Sequence, residues 1–402
     1  MEKIENVAAL CAVGAEKAVS NELRKLDLKV EESLYGRVRF KANTAGLYRA
    51  LIGLRAADRV LLEAASFKAE DFDDLFERAN AAEWERIVPK GLGLKVVKVR
   101  ANRSRLKAET SIQSVVHKAA AQRLCGKYGL GRLPEDGKAA EVRVYIEKDM
   151  VSLLVDLSGE PLFKRGYRSE GGTAPLRETT AAAMLLLSGW KRKFPLYDPF
   201  CGSGTILLEA AMYAWDMAPG LGRRFALEEL LIADSKIEQD VRHEFRGKID
   251  FERLVRIAGS DEDVRSVSIA SSNAARLLDI AAGKTPQRGI RPVADKRQEA
   301  INIKVMRIGD VRSPFPDTEG FLITNPPYGK RLGDPAQSEQ TYREMGNLGQ
   351  HFPGWKLALI TDHGGFESFF GKKADSCREI SNGAIPSYFY QYESQPVVYN
   401  YL

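Results

Sequence analysis

Hydrophobic and polar residues follow strand and helix periods in turn along the first 55 residues. Alternation with a period of two predicts strands, and apolar positions three or four apart, such as Val19 and Leu23, predict an amphipathic helix. The predicted elements are strands at 7–13, 29–33 and 37–41 and helices at 16–26 and 45–54. We therefore predict a small α+β unit over residues 1–55.

A second α+β unit is predicted over residues 56–165. Its elements are strands at 59–65, 95–101, 142–146 and 151–156 and helices at 71–86 and 111–125. In the last of these helices Ile112, Val116 and Ala119 recur at helical spacing, which indicates that one face is buried.

Strand and helix patterns then alternate over residues 166–402. The predicted strands lie at 194–197, 254–258, 301–308, 321–324, 357–361, 377–380 and 388–392, with an extension at 396–401, and the main helices at 206–215 and 266–278. This alternation is typical of a Rossmann-like α/β fold with a doubly wound sheet, which binds ligands at the carboxyl ends of its strands.

A glycine-rich turn joins the first of these strands to the following helix. Glycines allow positive φ and a close approach of the backbone to a ligand, and the N-terminus of the helix offers N–H groups to an anion. The third glycine of the dinucleotide fingerprint is replaced by Leu207, and an acid ends the strand, so the turn favours a carboxylate-bearing cofactor over NAD. The expected cofactor contacts are Asp198, Phe200, Gly202, Gly204 and Thr205.

Acidic residues follow two later strands of the same sheet. Asp261 stands where a carboxylate can accept both ribose hydroxyls of an adenosine, and Glu262 is expected to flank the adenine. Asp310 follows the next strand, where we expect it to accept a hydrogen bond from the adenine amino group.

The sequence Asn325-Pro326-Pro327-Tyr328 follows the strand at 321–324. The side-chain oxygen of Asn325 and the carbonyl of Pro326 can accept the two N–H groups of an exocyclic amine, and the two prolines stiffen the loop. Tyr328 can stack on a base. We therefore predict these four residues as the catalytic loop, with Asn325 also close to the cofactor.

Positive charge is concentrated in one part of the chain. The net charge is only +6, but residues 86–132 hold twelve Lys or Arg and a single acid, Glu109, which indicates a polyanionic partner such as nucleic acid. Lys164, Arg165 and Arg168 could bind phosphate or could only join two domains, and Lys330 and Arg331 could bind flanking phosphates or only solubilise a loop. The candidate RNA contacts are Arg100, Arg103, Arg105, Lys107, Lys164, Arg165, Arg168, Lys330 and Arg331.

Several classes of function are disfavoured by composition. Four scattered cysteines and four scattered histidines form no ligand spacing, so neither a metal site nor a disulfide framework is expected. No apolar run reaches the length that spans a bilayer. We expect a cytoplasmic protein, for which a monomer is plausible, that binds neither membrane nor metal.

The motifs together resemble those of a known family. The glycine turn resembles motif I of class I S-adenosylmethionine (SAM) methyltransferases, and Asn325 to Tyr328 resembles the motif of enzymes that methylate exocyclic or amide nitrogens. Residues 1–55 look ferredoxin-like, and residues 56–165, with the segment 153–168, resemble a THUMP RNA-binding domain. The whole chain resembles the THUMP-containing rRNA guanine-N2 methyltransferases of RlmL type, closest to their amino-terminal module.

That resemblance implies methyl transfer from SAM to the N2 of a guanosine in 23S rRNA, with the base extruded into the pocket of the catalytic loop. Three alternatives stay open. A tRNA guanine-N2 methyltransferase would share every motif, and an adenine-N6 or protein-glutamine methyltransferase would use the same catalytic loop. A non-catalytic RNA-binding factor is the third, although both motifs are intact.

Overall fold

Two seven-stranded sheets organise the computed structural model, which describes residues 3–168, 176–284, 300–316, 318–327, 335–382 and 385–393. The strands of the described residues are β1 (Glu5–Cys11), β2 (Lys29–Leu34), β3 (Arg37–Ala42), β4 (Ala57–Lys68), β5 (Gly93–Asn102), β6 (Ala139–Glu147), β7 (Met150–Asp156), β8 (Leu196–Asp198), β9 (Ile257–Asp261), β10 (Ile301–Val305), β11 (Phe321–Thr324), β12 (Lys356–Thr361), β13 (Ser376–Asn382) and β14 (Ile385–Tyr392). The helices are α1 (Glu16–Lys25), α2 (Thr44–Gly53), α3 (Phe72–Ala81), α4 (Glu109–Tyr128), α5 (Glu178–Leu187), α6 (Thr205–Ala214), α7 (Ser235–Gly247), α8 (Val264–Ala281), α9 (Pro335–Met345), α10 (Leu348–His351) and α11 (Phe366–Phe370).

The first sheet runs through both units that the sequence predicts in the amino-terminal half. Its strand order is β2-β3-β1-β4-β7-β6-β5. The long strand β4 pairs with β1 on one side and with β7 on the other, so a boundary at residue 55 divides the chain but not the sheet. Helices α1 to α4 pack on one face, where Val7, Phe40 and Val142 belong to the main hydrophobic core.

The second sheet has the doubly wound α/β topology that the alternating pattern predicts, and this prediction is confirmed. Its strand order is β10-β9-β8-β11-β12-β14-β13, and the first five of these strands are parallel. The chain runs outward from β8 to β10 on one side and from β11 through β12 to the edge strand β13 on the other, and β14 then returns between β12 and β13. The order therefore reverses between β8 and β11, which is where sheets of this kind bind ligands.

The segment around residue 165 ties the two halves together. Arg165 is only 3% exposed, forms an ion pair with Glu209 at 3.4 Å, and donates to the backbone oxygens of Leu162 and Arg55. The hydroxyl of Tyr167 also donates to Glu209, at 3.3 Å. The prediction that Arg165 contacts RNA is wrong, because its guanidinium group makes its contacts inside the protein. The structure has the alternative arrangement, in which Arg165 links the two domains.

Some elements differ from the sequence prediction. The strand predicted at 254–258 forms at Ile257–Asp261, and the strand predicted at 301–308 ends at Val305 before a 3-10 turn at Ile308–Asp310. The helix predicted at 71–86 splits because Ala82 is extended, with φ −62° and ψ 140°. Helices α9 to α11 were not predicted, and the strand predicted at 396–401 lies outside the described residues.

Candidate functional site

A cavity of about 520 Å³ opens at the carboxyl ends of β8, β9 and β11, at the point where the strand order reverses. Residues from five parts of the second half and from α9 surround it. They are Leu176, Asp198, Pro199, Phe200, Cys201, Gly202, Ser203, Thr205, Ile206, Asp261, Glu262, Ser266, Ile269, Met306, Ile308, Asn325, Pro327, Gln337, Gln340, Thr341 and Glu344.

The glycine turn forms the floor of this cavity. Gly202 and Gly204 have φ of +51° and +82°, a region that side chains rarely adopt, and Gly204 is the N-cap of α6. A Cβ on Gly204 would approach the Cβ of Ala270 to 3.1 Å, whereas a Cβ on Gly202 would meet nothing within 4 Å. The turn thus leaves open space beside the backbone, and its N-cap residue, a glycine, has no side chain to cap the first turn of α6.

Asp198 links the glycine turn to the catalytic loop. Its carboxyl group is 1% exposed and accepts hydrogen bonds from the Oγ1 of Thr324, at 2.6 Å, and from the N–H of Phe200, at 3.1 Å. Burial raises the pKa of Asp198 to about 7, although both hydrogen bonds oppose this by stabilising the charged form. Thr324 is the last residue before Asn325, so the position of the loop depends on this contact.

A second acidic residue stands at the end of the neighbouring strand β9. Asp261 ends β9, lines the cavity, and accepts the N–H groups of Gly202, at 2.9 Å, and Asp263, at 3.0 Å. These bonds fix the carboxylate, and each oxygen keeps capacity for a further donor such as a ribose hydroxyl. Glu262 lies beside it on the cavity wall. Asp310, in contrast, is exposed outside the lining, and Met306 and Ile308 face the cavity in its place.

Asn325 carries the clearest sign of a ligand-binding position. Its Oδ1 is buried, and no described residue donates a hydrogen bond to it. Buried polar groups are nearly always paired, so an orphaned acceptor that lines a cavity indicates a donor on the ligand. Pro326 is buried and Pro327 lines the cavity. Tyr328, Lys330 and Arg331 lie outside the described residues.

Helix α9 forms one wall of the cavity, and the sequence analysis did not predict this wall. Gln337, Gln340, Thr341 and Glu344 line the cavity. On the other side of the helix Tyr342 is buried, with its hydroxyl 3.0 Å from the Oγ1 of Thr361. The lining positions are spaced three, one and three residues apart, which is the period of a helix face. That polar stripe is the signal that could have revealed the wall.

The family models decide what kind of site this is. A model of the RMKL-like methyltransferase domain matches residues 165–281 and 294–391, and a model of the RlmL ferredoxin-like domain matches residues 6–61. The chain belongs to the RMKL-like methyltransferase family. It is therefore a SAM-dependent methyltransferase, as the sequence motifs predict.

Individual relatives of this family cover nearly all of the chain. YpsC of Bacillus subtilis (strain 168), which is named as an RNA methyltransferase, is 34% identical over 393 residues, 96% of this chain and 95% of YpsC. The ribosomal RNA large subunit methyltransferase K/L of Syntrophotalea carbinolica is 32% identical over 389 residues, 92% of this chain but 51% of that enzyme. The chain thus spans about half of the K/L protein.

A solved structure of the family supports the same comparison. The crystal structure of SMU.472, complexed with SAH, superposes with a TM-score of 0.85 and 35% identity over 99% of this chain and all of that one. The residues that line the cavity of this chain suit a cofactor of the same class as SAH. The open space at Gly202, the carboxylate of Asp261 and the apolar Met306 and Ile308 together fit an adenosine and its amino-acid tail.

One predicted RNA contact lies against the cofactor cavity of the RMKL-like fold instead. Arg168 donates to the Oγ1 of Thr205, at 2.8 Å, and to the backbone oxygen of Leu176, at 3.1 Å, and both acceptors belong to lining residues. It also forms an ion pair with Glu178 at 3.2 Å. Burial raises the pKa of Glu178 to about 7, although Arg168 opposes this shift. Arg168 therefore stabilises the wall of the cavity and is not part of an open surface.

The other candidate RNA contacts that the structure describes lie on the surface of the amino-terminal half, including residue 164 at its end. Arg100 pairs with Glu109 at 3.2 Å, Arg105 pairs with Glu70, and Lys164 pairs with Glu160. Arg103 and Lys107 are exposed and form no ion pair with any residue that the structure describes.

Neither a metal centre nor a membrane span is visible in the described part of the RMKL-like chain. Within those residues His, Cys, Asp and Glu form no group that could hold a metal ion. No helix there is both long and apolar enough to cross a bilayer.

Proposed function

We propose that the chain transfers a methyl group from SAM to the exocyclic N2 of a guanosine in 23S rRNA. The observation that carries the proposal is the buried, unpartnered Oδ1 of Asn325 beside the cofactor cavity. The K/L relatives, which are named as methyltransferases of large-subunit ribosomal RNA, support the choice of RNA. The expected place of action is the cytoplasm.

The chain's own residues would act mainly by orientation. When bound, SAM supplies a methyl group already activated by its sulfonium charge. Asp261 would hold the ribose hydroxyls, and Met306 and Ile308 would enclose the adenine. Alignment of acceptor and donor in a closed site is a large part of the barrier reduction in reactions of this kind.

The catalytic loop would hold the acceptor amine. An exocyclic amine on a nucleobase is a poor nucleophile, because its lone pair is delocalised into the ring. Hydrogen bonds from its two N–H groups to the Oδ1 of Asn325 and to the carbonyl of Pro326 would draw the nitrogen toward tetrahedral geometry. Pro326 and Pro327 have no N–H, so the loop offers acceptors without a competing donor.

The target base would be unpaired or extruded from its helix, because a paired base cannot reach a cavity. We propose that Tyr328 stacks on it, a contact worth about 1–3 kcal/mol. The flanking phosphates would be held by Lys330 and Arg331.

The substrate is tested by supplying tritiated SAM with total tRNA, protein-free 23S rRNA and 16S rRNA separately, then digesting each RNA to nucleosides for mass spectrometry. N2-methylguanosine in 23S rRNA is the expected product. The same nucleoside in tRNA would keep the chemistry and change the substrate, and N6-methyladenosine would overturn the choice of base.

A further inference from the structure

The amino-terminal sheet is strongly curved, and the contact between Arg37 on β3 and Tyr145 on β6 shows it. The guanidinium carbon of Arg37 lies over the ring of Tyr145, 5.5 Å from its centroid. Four inter-strand steps separate β3 from β6 in the sheet order. In a flat sheet those steps alone would span about 19 Å. The face that carries both side chains is therefore concave, and we call it the trough.

The strand register shows which residues line the trough. Arg143 pairs with Lys98 and with Leu154, and Tyr145 pairs with Arg100. Directly paired residues point to the same face of a sheet, so these side chains share one surface.

The floor of the trough consists of a few apolar side chains. Ala8, Leu61 and Leu154 form a separate buried cluster, against which Tyr145 packs. Helices α1 to α4 lie against the opposite face of the sheet.

Positive charge in the trough is only partly balanced. The buried carboxylate of Asp156 forms ion pairs with both Arg59, at 2.5 Å, and Arg143, at 3.3 Å. Arg37 and Lys98 form no ion pair with any described residue, and Arg100 pairs only with Glu109, whose side chain is partly exposed.

The surroundings of Lys98 and Arg37, the two cations without an ion pair among the described residues, also favour an anionic ligand. Loss of hydration and the nearby Arg100, Arg143 and Arg59 lower the pKa of Lys98, although Glu109 opposes the shift. Loss of hydration and Arg39 lower the pKa of Arg37, although Tyr145, Glu32 and Glu147 oppose the shift. A polyanion would relieve this like-charge repulsion.

We propose that the trough binds a single-stranded segment of the substrate RNA, with a base stacked against Tyr145 and Arg37 and phosphates held by Lys98 and Arg100. This rests on the proposed function only in taking RNA as the substrate. An aromatic ring with cations beside it suits single strands of any sequence, because every base has a π face. The exposed Arg103 and Lys107 follow directly after β5 and extend the same surface.

The proposal is tested by fluorescence anisotropy of the full chain with a labelled 12-nucleotide single-stranded RNA, over a range of salt concentrations. Tyr145→Leu should weaken binding about tenfold, within the 5- to 150-fold expected for loss of one stacked base, while Tyr145→Phe should bind like the wild type. Lys98→Gln should weaken binding and reduce the salt slope by about one.

Lys118→Gln is the matched control, because Lys118 is an exposed lysine on α4, on the other face of the sheet. It should bind like the wild type. Melting temperature and affinity for SAH, measured on every variant, show whether the fold is intact; Lys98 is exposed, so its variant tests the trough even if Tyr145→Leu misfolds.

Unchanged binding by Lys98→Gln, or equal losses in Lys118→Gln, would overturn the proposal, as would tighter binding of a duplex of the same sequence. Failure of the trough is distinguishable from failure of the proposed function. Trough variants that bind and methylate RNA normally refute the trough alone, whereas a wild type that binds RNA through the trough but forms no N2-methylguanosine refutes the proposed function alone.

Discussion

The hydroxyl of Thr324 donates to the buried carboxyl group of Asp198 at 2.6 Å, which joins the ends of β11 and β8. Thr324 precedes the catalytic loop, and Asp198 begins the glycine turn. One hydrogen bond therefore fixes the end of β11, from which the loop of Asn325 begins, relative to the glycine turn. Because neither group has access to water, the bond cannot be replaced by solvent.

Removing this donor should weaken both the fold and catalysis. Thr324→Val keeps the shape of the side chain but leaves Asp198 with one donor fewer, so we expect a loss of about 1–3 kcal/mol in the free energy of unfolding. Thr324→Ser should retain most of the stability. Urea denaturation and single-turnover methyl transfer measure the two effects. Thr318→Val is the control, because among the described residues its hydroxyl bonds only to Phe315, outside the cavity. Equal losses in both variants would contradict the account.

Stability should depend on pH through Asp198. Its pKa is raised to about 7 in the folded protein from an ordinary value of 3.8, so the folded state binds the proton more tightly. The resulting stabilisation is complete below about pH 4 and is lost as pH rises through about 7, with a slope of up to about 1.4 kcal/mol per pH unit. Asp198→Asn should remove this contribution. Parallel stability curves for wild type and variant, from urea denaturation between pH 4.5 and 7.5, would show that the pKa is not raised.

Gly204 should be sensitive to a single methyl group. Gly204→Ala forces a side chain into positive φ, at a cost of about 1–2 kcal/mol, and crowds Ala270 beneath the turn. We expect weaker SAH binding and a lower melting temperature. Gly126→Ala in α4 is the matched control; a Cβ there meets nothing within 4 Å, and the change should stabilise the helix by about 0.5–1 kcal/mol. Normal SAH affinity in Gly204→Ala would argue against a role for the turn in cofactor binding.

Two neighbouring cations should behave in opposite ways. Arg165→Ala strands the buried carboxylate of Glu209, so we expect a loss of about 3–5 kcal/mol in stability. Lys164→Ala removes only an exposed pair with Glu160 and should change stability little. Thermal and urea denaturation of the full chain compare the two. A small effect of Arg165→Ala would mean that the buried pair does not hold the halves together.

The sequence predicts well those parts of the site that depend on local chemistry. Asp198, Gly202 and Asp261 lie where strand, turn and helix patterns place them, because a turn after a parallel strand must emerge at one edge of the sheet. The predicted adenine contact of Asp310 stays a prediction, because the adjoining strand ends at Val305 and it is Met306 and Ile308 that line the cavity.

Features that depend on distant parts of the chain could not be read from the pattern. Arg165 looks like a surface cation, but its partner Glu209 lies 44 residues away and both are buried. The contact of Arg37 with Tyr145 depends on the curvature of a whole sheet, which no local period encodes.

The central claim is that the orphaned oxygen of Asn325 orients the exocyclic amine of a guanosine, and single-turnover methylation of 23S rRNA tests it most directly. Wild type and Asn325→Ala would be compared at saturating SAM, with the exposed Asn21→Ala as a control and nucleosides identified by mass. We expect N2-methylguanosine from wild type and Asn21→Ala, and a rate at least about 100-fold lower for Asn325→Ala, corresponding to about 2.7 kcal/mol of lost transition-state stabilisation. An unchanged rate in Asn325→Ala, or a methylated nucleoside other than N2-methylguanosine, would contradict the account.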